Sequence, residues 1–456
     1  MNTPPVAATT ARSPLDLTAA IVPIVAVLAL VAVWGRDLPA VVEVVVVALL
    51  AASVLAAVHH AEAVAHRVGE PFGSLVLAVA VTIIEVGLII TLMISGGPAT
   101  AALARDTVFA AVMITCNGIV GLSLLIVTLR SRTARFNPEG TGAALATVIT
   151  LATLCLVLPA FTTSAPGPEF STPQLAFAAV ASLVLYSLFV FVQNVRHRES
   201  FLTATTTAAP SAAPAPSAPP APPAARPAPP APAAPAPPAP AAVPPVPARA
   251  PEGARPTGEP PTGERPSGEP PSGEPPAAPI VPGAGSQGSK RPEGPKGSGG
   301  PVVPAAGAPL ISLALLMAAL VAVVGLAKVE SGTIEHTVAA AGLPHAVVGV
   351  VIALLVLLPE TLAAARNARR DRVQISLNLA LGSAMASIGL TIPAIAVASI
   401  WLGGPLLLGL GATQIVLLAL TAGVGILTVM PGRATLLQAA VHLALCAAYL
   451  FLAANP

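Results

Sequence analysis

The chain contains eleven apolar stretches of about membrane-spanning length, arranged as six, a long interruption, and five. A bilayer core needs about 20 apolar residues in a helix. By that measure spans fall near 18–34, 39–58, 73–95, 107–129, 142–161 and 174–195. The second block gives 310–327, 345–365, 375–400, 405–430 and 434–453. Charged residues are only 9% of the chain, against about 25% in an ordinary soluble domain. So few charges cannot cover a water-facing surface, which makes lipid the solvent for much of the protein. The expected fold is an all-α integral membrane protein of about eleven transmembrane helices. A net charge of +2 gives no reason to expect a nucleic-acid partner. Cys116, Cys155 and Cys446 lie singly in apolar stretches, as small packed thiols do. The N-terminal residues lack the short apolar core and cleavage site of a removed signal, so the first apolar stretch is expected to stay as a helix.

The interruption holds 33 of the 52 prolines and includes the degenerate repeat PTGEPPTGERPSGEPPSGEPP at 256–276. Proline removes backbone donors and the apolar content is too small to offset ordering entropy. Residues 201–308 therefore read as a disordered, proline- and alanine-rich cytoplasmic linker. It separates a first transmembrane block, 18–200, from a second, 309–456, with 1–17 as a cytoplasmic N-terminus. The orientation comes from positive charge, which is retained in short cytoplasmic loops. With the N-terminus inside, the inner loops collect Arg130, Arg132, Arg135, Arg366, Arg369 and Arg370 among others. The outer loops keep only Arg36, Arg105 and Lys328. Spans two to six then begin outside and spans seven to eleven begin inside. Two inverted five-helix repeats plus an extra N-terminal helix is the layout of transporters that bind substrate at the midplane.

Acidic residues within such spans are costly, about 2.5–3.5 kcal/mol each on insertion scales, and mark function by default. Glu85 lies 12 residues after Gly73 in span three, and Glu360 lies 15 after His345 in span eight. Both fall near mid-membrane on helices of opposite direction, so a two-fold axis in the membrane plane can relate them. Two carboxylates sharing a site repel, which favours a proton on one of them, and a hard cation prefers the same charged oxygens. Competition between the two at an alternately exposed site is antiport. Neutral oxygens come from Thr107, Thr115 and Asn117 on span four and from Asn378, Ser383, Ser387 and Thr391 on span nine. Pro359, beside Glu360, removes a helical donor. A polar cluster at 59–71 places Glu62 one helical turn from His59 and from His66, as an entry vestibule or an ordinary solvated helix end. His442 is a lone intramembrane histidine.

The stretch HHAEAVAHRVGEPFGSLVLAVAVTIIEV (59–86) resembles the first α-repeat of the calcium/proton antiporter family, within the calcium/cation antiporter superfamily, and there the bacterial ChaA-type ionic transporters. LPETLAAARNARRDRVQISLNLALGSAMASIGLTIP (358–393) is similar to the second α-repeat. The resemblance covers about 1–200 and 310–455. It implies eleven helices, cation-for-proton exchange, and Glu85 and Glu360 as the residues that bind the metal ion. Asn117, Ser383, Asn378 and Thr82 are the further cation- or proton-binding positions, and Glu62, His59 and His66 are possible entry or accessory groups. Thr82 and Leu357 stand where many members have asparagine, and Met385 and Ala386 replace a threonine–glutamine pair. Fewer oxygens than the six to eight that calcium takes point toward a monovalent cation. The expected function is export of Ca²⁺ and/or Na⁺ and K⁺ against protons across the bacterial inner membrane. No cofactor is expected beyond the transported ions, and no enzymatic activity; the rival reading is a channel or another transporter not coupled to protons.

Overall fold

The computed structural model describes residues 14–69, 72–196, 198–201, 308–401 and 404–456. Most of the proline-rich linker and the first 13 residues lie outside these, as do the expectations placed on them. Eleven helical rods succeed one another. They are α1 (Pro14–Val33), α2 (Ala40–Val68), α3 (Phe72–Gly96), α4 (Leu103–Ser131), α5 (Pro138–Ala160) and α6 (Thr172–Arg196). After the linker come α7 (Ala308–Ala340), α8 (Ala346–Arg369), α9 (Val373–Ala398), α10 (Ala412–Val429) and α11 (Leu436–Ala454). Ten are long and apolar enough to cross a bilayer, and α1 contributes a shorter apolar stretch, Leu17–Val33. Exposed apolar rows such as Val41, Val44 and Val45 on α2, or Phe177, Val180 and Val184 on α6, turn outward as lipid-facing surface.

Local chemistry sets several rod ends. Pro138 opens α5, where its missing N–H costs nothing, and the Asn137 side chain accepts from Glu139 N at 2.9 Å. Gln174 and Gln438 reach back to the backbone N–H groups of Ser171 and Thr435, at 3.0 and 2.7 Å.

Loops on each face are laced together, which fixes the threading. Strands β1 (Thr133–Arg135), after α4, and β2 (Arg433–Thr435), after α10, pair antiparallel with Ala134 opposite Ala434. Six rods lie between them, an even number, so alternating spans return both loops to one face. On the other face the segment before α10 crosses two loops and the end of α5: Leu407, Gly409 and Leu410 donate to Ala101 O, Pro168 O and Leu156 O. Five rods separate the start of α2 from that of α7, so the two five-helix sets run in opposite senses, with α1 outside the repeat.

The blocks interlock rather than sit side by side. Helix α7 packs on α1, α2 and α3, while α8 packs on α4, α9 packs on α5, and α11 packs on α4. Gly349 lets α8 lie directly against the backbone of α4, since a Cβ there would meet Asp106 C and Thr107 N at 2.9 Å. The apolar interior divides into two clusters. One gathers α1, α2 and α7, and the other gathers α4–α6 with α9–α11. Among the described residues, only α3 and α8 feed both from the middle of their spans: Ile84 and Val356 face the first cluster, Ile89 and Leu357 the second. That seam is where Glu85 and Glu360 lie.

Two rods differ from the expected spans. Helix α7 does not stop near residue 327 but continues through KVESGTIEH to Ala340, because its polar end stays packed beside α2. Helix α8 runs unbroken through Pro359. The irregularities are in its neighbours, a π-turn at Ile114–Ile119 in α4 and a break at Leu390 in α9.

Candidate cation and proton site

Glu85 and Glu360 are both buried, with 2% and 8% of their surface exposed, and lie within electrostatic reach of each other. Ser387 of α9 donates from Oγ to Glu85 Oε2 at 3.0 Å. Glu85 Oε1 and Glu360 Oε2 have no hydrogen-bond partner among the described residues. Buried polar atoms are nearly always paired, so an orphaned carboxylate oxygen needs an explanation. The Thr391 hydroxyl, just past the break in α9, lies beside Glu85 and makes no hydrogen bond either. The break ends one helical segment at Gly389 and starts another at Thr391. Ser387 and Thr391 thus come to one carboxylate from the two sides of Leu390.

Glu360 borders a cavity of about 370 Å³. Asn378, Gly382 and Ser383 of α9 line it, together with Tyr186, Gln193 and Asn194 of α6. Such a volume holds several waters or a partly hydrated ion, at about 30 Å³ per liquid water. Asn378 contributes with much of its amide already engaged. Its Nδ2 donates to Phe201 O at 2.7 Å and its Oδ1 accepts from Gln374 Nε2 at 2.9 Å. Thr82 is buried one turn ahead of Glu85 on α3.

Asn117 is held in a hydrogen-bond network with two other helices. The π-turn of α4 carries its side chain toward α10 and α11, where Nδ2 donates to Thr421 Oγ1 at 2.9 Å. Its Oδ1 meets His442 Nδ1 at 3.2 Å, and His442 Nε2 meets Thr428 Oγ1 at 3.1 Å. Thr421 passes its own proton to Leu417 O. With His442 neutral and protonated on Nδ1, every member of this set is satisfied. The network joins three helices and leaves Asn117 Oδ1 facing the imidazole. Thr115 likewise bonds back to Ala111 O, and Thr107 is buried without a partner among the described residues.

In the polar cluster of α2, Glu62 and His66 are exposed, and Glu62 is within electrostatic reach of Glu360. His59 stacks edge-on against His60, whose Nε2 meets Ala19 O of α1 at 3.0 Å. His60 is therefore a tie between α1 and α2, which its unremarkable place among three histidines did not reveal. Sequence reasoning also passed over Glu330, which is fully buried with both carboxylate oxygens unpaired among the described residues. Its signal is an acid one turn beyond an apolar run, masked because hydropathy alone ends that run at 327. Among the described residues no group of three or more His, Cys, Asp or Glu is placed to hold a metal ion. The seam brings together two carboxylates and neutral hydroxyls.

A profile of the sodium/calcium exchanger proteins matches residues 38–195 and 311–454, both helical blocks without the linker. The chain belongs to the sodium/calcium exchanger protein family. Members of this family are secondary transporters that exchange inorganic cations across membranes. The chain is accordingly a cation antiporter and a multi-pass inner-membrane protein. It is 38% identical over 408 residues to the ionic transporter y4hA of Sinorhizobium fredii, covering 90% of this chain and 87% of that one. It is 28% identical over 437 residues to the sodium-potassium/proton antiporter ChaA of Escherichia coli, covering 95% of each. Among solved structures it resembles YfkE, with a TM-score of 0.59 at 13% identity over 97% of this chain and 99% of that one. It also resembles the exchanger CAX, with a TM-score of 0.53 at 14% identity, covering 96% and 91%. At such identities these two structures bear on the fold alone.

Proposed function

We propose that this exchanger expels Na⁺ or K⁺, and Ca²⁺ less well, in return for protons, by presenting the Glu85–Glu360 pair to each face in turn. The observation that carries the proposal is the pair itself. Two buried carboxylates from oppositely running helices each keep an oxygen free of hydrogen bonds. Oxygens left unpaired in a low-dielectric seam are stable only when neutralised, by protons or by a cation. One set of atoms cannot hold both. Cation arrival therefore displaces protons, and proton arrival displaces the cation.

Ser387 holds Glu85 Oε2, and the Thr391 hydroxyl beside it is free to turn toward an incoming ion. Ser383 and Asn378 line the approach to Glu360, and exposed Glu62 attracts cations toward it. With Glu85 Oε2 already held by Ser387, three carboxylate oxygens and the Thr391 hydroxyl remain, fewer than the six to eight oxygens of calcium unless water completes the shell. That supports a monovalent preference, as does the similarity to a sodium-potassium/proton antiporter. The excess of arginine on the face that bears β1 and β2 supports a cytoplasmic position for that face, the N-terminus and the linker. The inward proton gradient then drives cations outward.

The test is proton movement in everted vesicles containing the full chain. Addition of Na⁺ or K⁺ should dissipate a preformed proton gradient, with Ca²⁺ weaker, and Glu85→Gln or Glu360→Gln should abolish the response. Cation flux that persists without any proton counter-flow would overturn the proposal in favour of a channel.

A further inference from the structure

The face that carries the β1–β2 ribbon gathers exposed arginines from three loops: Arg130, Arg132 and Arg135, then Arg366, Arg369, Arg370 and Arg372, then Arg433. Hydrogen bonds bind these loops into one surface. Arg130 Nη1 donates to Arg369 O at 2.6 Å, Phe136 N to Gly432 O at 3.0 Å, and Asn137 N to Gln374 Oε1 at 2.6 Å. Glu139 and Asp371 are the acids of the same loops. Among the described residues the one ion pair is Arg105–Asp106, at the opposite ends of the helices. Among the described residues, then, none of the arginines of the ribbon face is in an ion pair, and they outnumber the acids of their loops.

Retention of the loops on one side of the membrane explains why arginine is present there, but it asks only for charge somewhere in each loop. It does not explain the ribbon. The register sets Arg135 directly opposite Arg433, while the intervening pair, Ala134 and Ala434, is fully buried. Like charges directly opposite on a strand pair are destabilising, with Cβ atoms about 5 Å apart. Two guanidinium forks at that spacing suit one phosphate, which each can grip through two parallel N–H donors. The ribbon starts two residues beyond the end of α4, at Ser131, so it stands where an apolar span emerges and lipid phosphates lie.

We propose that Arg135 and Arg433 form a clamp for the phosphate of an anionic phospholipid, bridging the loops that follow α4 and α10. The ligand is a lipid rather than a free anion because the ribbon follows directly on the end of an apolar span and, among the described residues, Arg135 and Arg433 stand exposed rather than enclosed. It is independent of the seam carboxylates, and the cation exchange proposed above does not have to hold for it to be true.

The experiment is native mass spectrometry of the full chain in mild detergent, titrated with phosphatidylglycerol, cardiolipin or phosphatidylcholine, and separately with inorganic phosphate. The wild type should retain the two anionic lipids and lose phosphatidylcholine. Arg135→Gln/Arg433→Gln should weaken anionic-lipid retention roughly thirty-fold, the attraction of two basic residues at a headgroup surface. Arg36→Gln, on the opposite face, should leave it unchanged. A thermal melt in detergent checks that the double variant is folded. Equal retention by wild type and folded double variant would overturn the clamp, as would equal retention of phosphatidylcholine. Displacement of the lipid by millimolar phosphate would overturn the lipid assignment in favour of a free-anion site.

Discussion

Removing the Ser387 hydroxyl is the most informative single perturbation of the seam. Among the described residues it supplies the one hydrogen bond that Glu85 receives, at 3.0 Å to Oε2, and it does so in a buried setting. A hydrogen bond to a charged acceptor contributes about 1.5–3 kcal/mol. That bond forms with the carboxylate and favours its charged state over the protonated one. Ser387→Ala therefore tilts the competition toward protons. At 1.36 kcal/mol per pH unit, the pH at which a fixed cation concentration gives half-maximal exchange should rise by about one to two units. Equivalently, at fixed pH the half-effective cation concentration should rise roughly ten- to hundred-fold, because a 1.4 kcal/mol change is a factor of ten. The maximal rate at alkaline pH, where protons no longer compete, should be much less affected. Dequenching of a proton-gradient dye in everted vesicles, run over a grid of cation concentration and pH, reads both quantities. A Ser387→Ala curve that superimposes on the wild type at every pH would refute the assignment of Glu85 as a shared cation and proton ligand.

Other perturbations test the frame around the seam. Gly349→Leu should lower the melting temperature in detergent by driving side-chain atoms into the α4 backbone, at a cost of about 1–3 kcal/mol for overpacking. His442→Ala should also destabilise, by about 1–3 kcal/mol, since it leaves Asn117 Oδ1 and Thr428 without their partner. Glu330→Met should stabilise the protein by about 1–3 kcal/mol in the same assay, because it removes a buried carboxyl group whose oxygens have no partner among the described residues.

The rods and the depth of the two glutamates are legible in the sequence for one reason. In lipid, apolar length is the structure, and an acid inside it stands out. The features that stay hidden depend on local helix geometry. Asn117 reads as a ligand as a neutral oxygen within span four and by the family resemblance, and the structure adds that at the π-turn between Ile114 and Ile119 its amide meets Thr421 and His442. No composition signal announces that turn. Ser387 and Thr391 are visible as hydroxyls and Pro393, which cannot donate to Gly389 O and crowds that carbonyl, announces the break at Leu390, but that the break brings both hydroxyls to Glu85 is a matter of packing. Glu330 escapes because hydropathy marks where a helix becomes polar, not where it ends, and α7 continues past Lys328 on the support of α2. The His60 tie to α1 depends on the packing of α1 against α2, a contact between helices that no periodicity encodes.

Proton release on cation binding, measured with a pH indicator on the purified protein in weakly buffered detergent, tests the central claim most directly. Stepwise addition of Na⁺ or K⁺ to the wild type should release protons in proportion to the cation bound, and Glu85→Gln/Glu360→Gln should release none. Saturable cation binding by the wild type with no proton release would contradict the account.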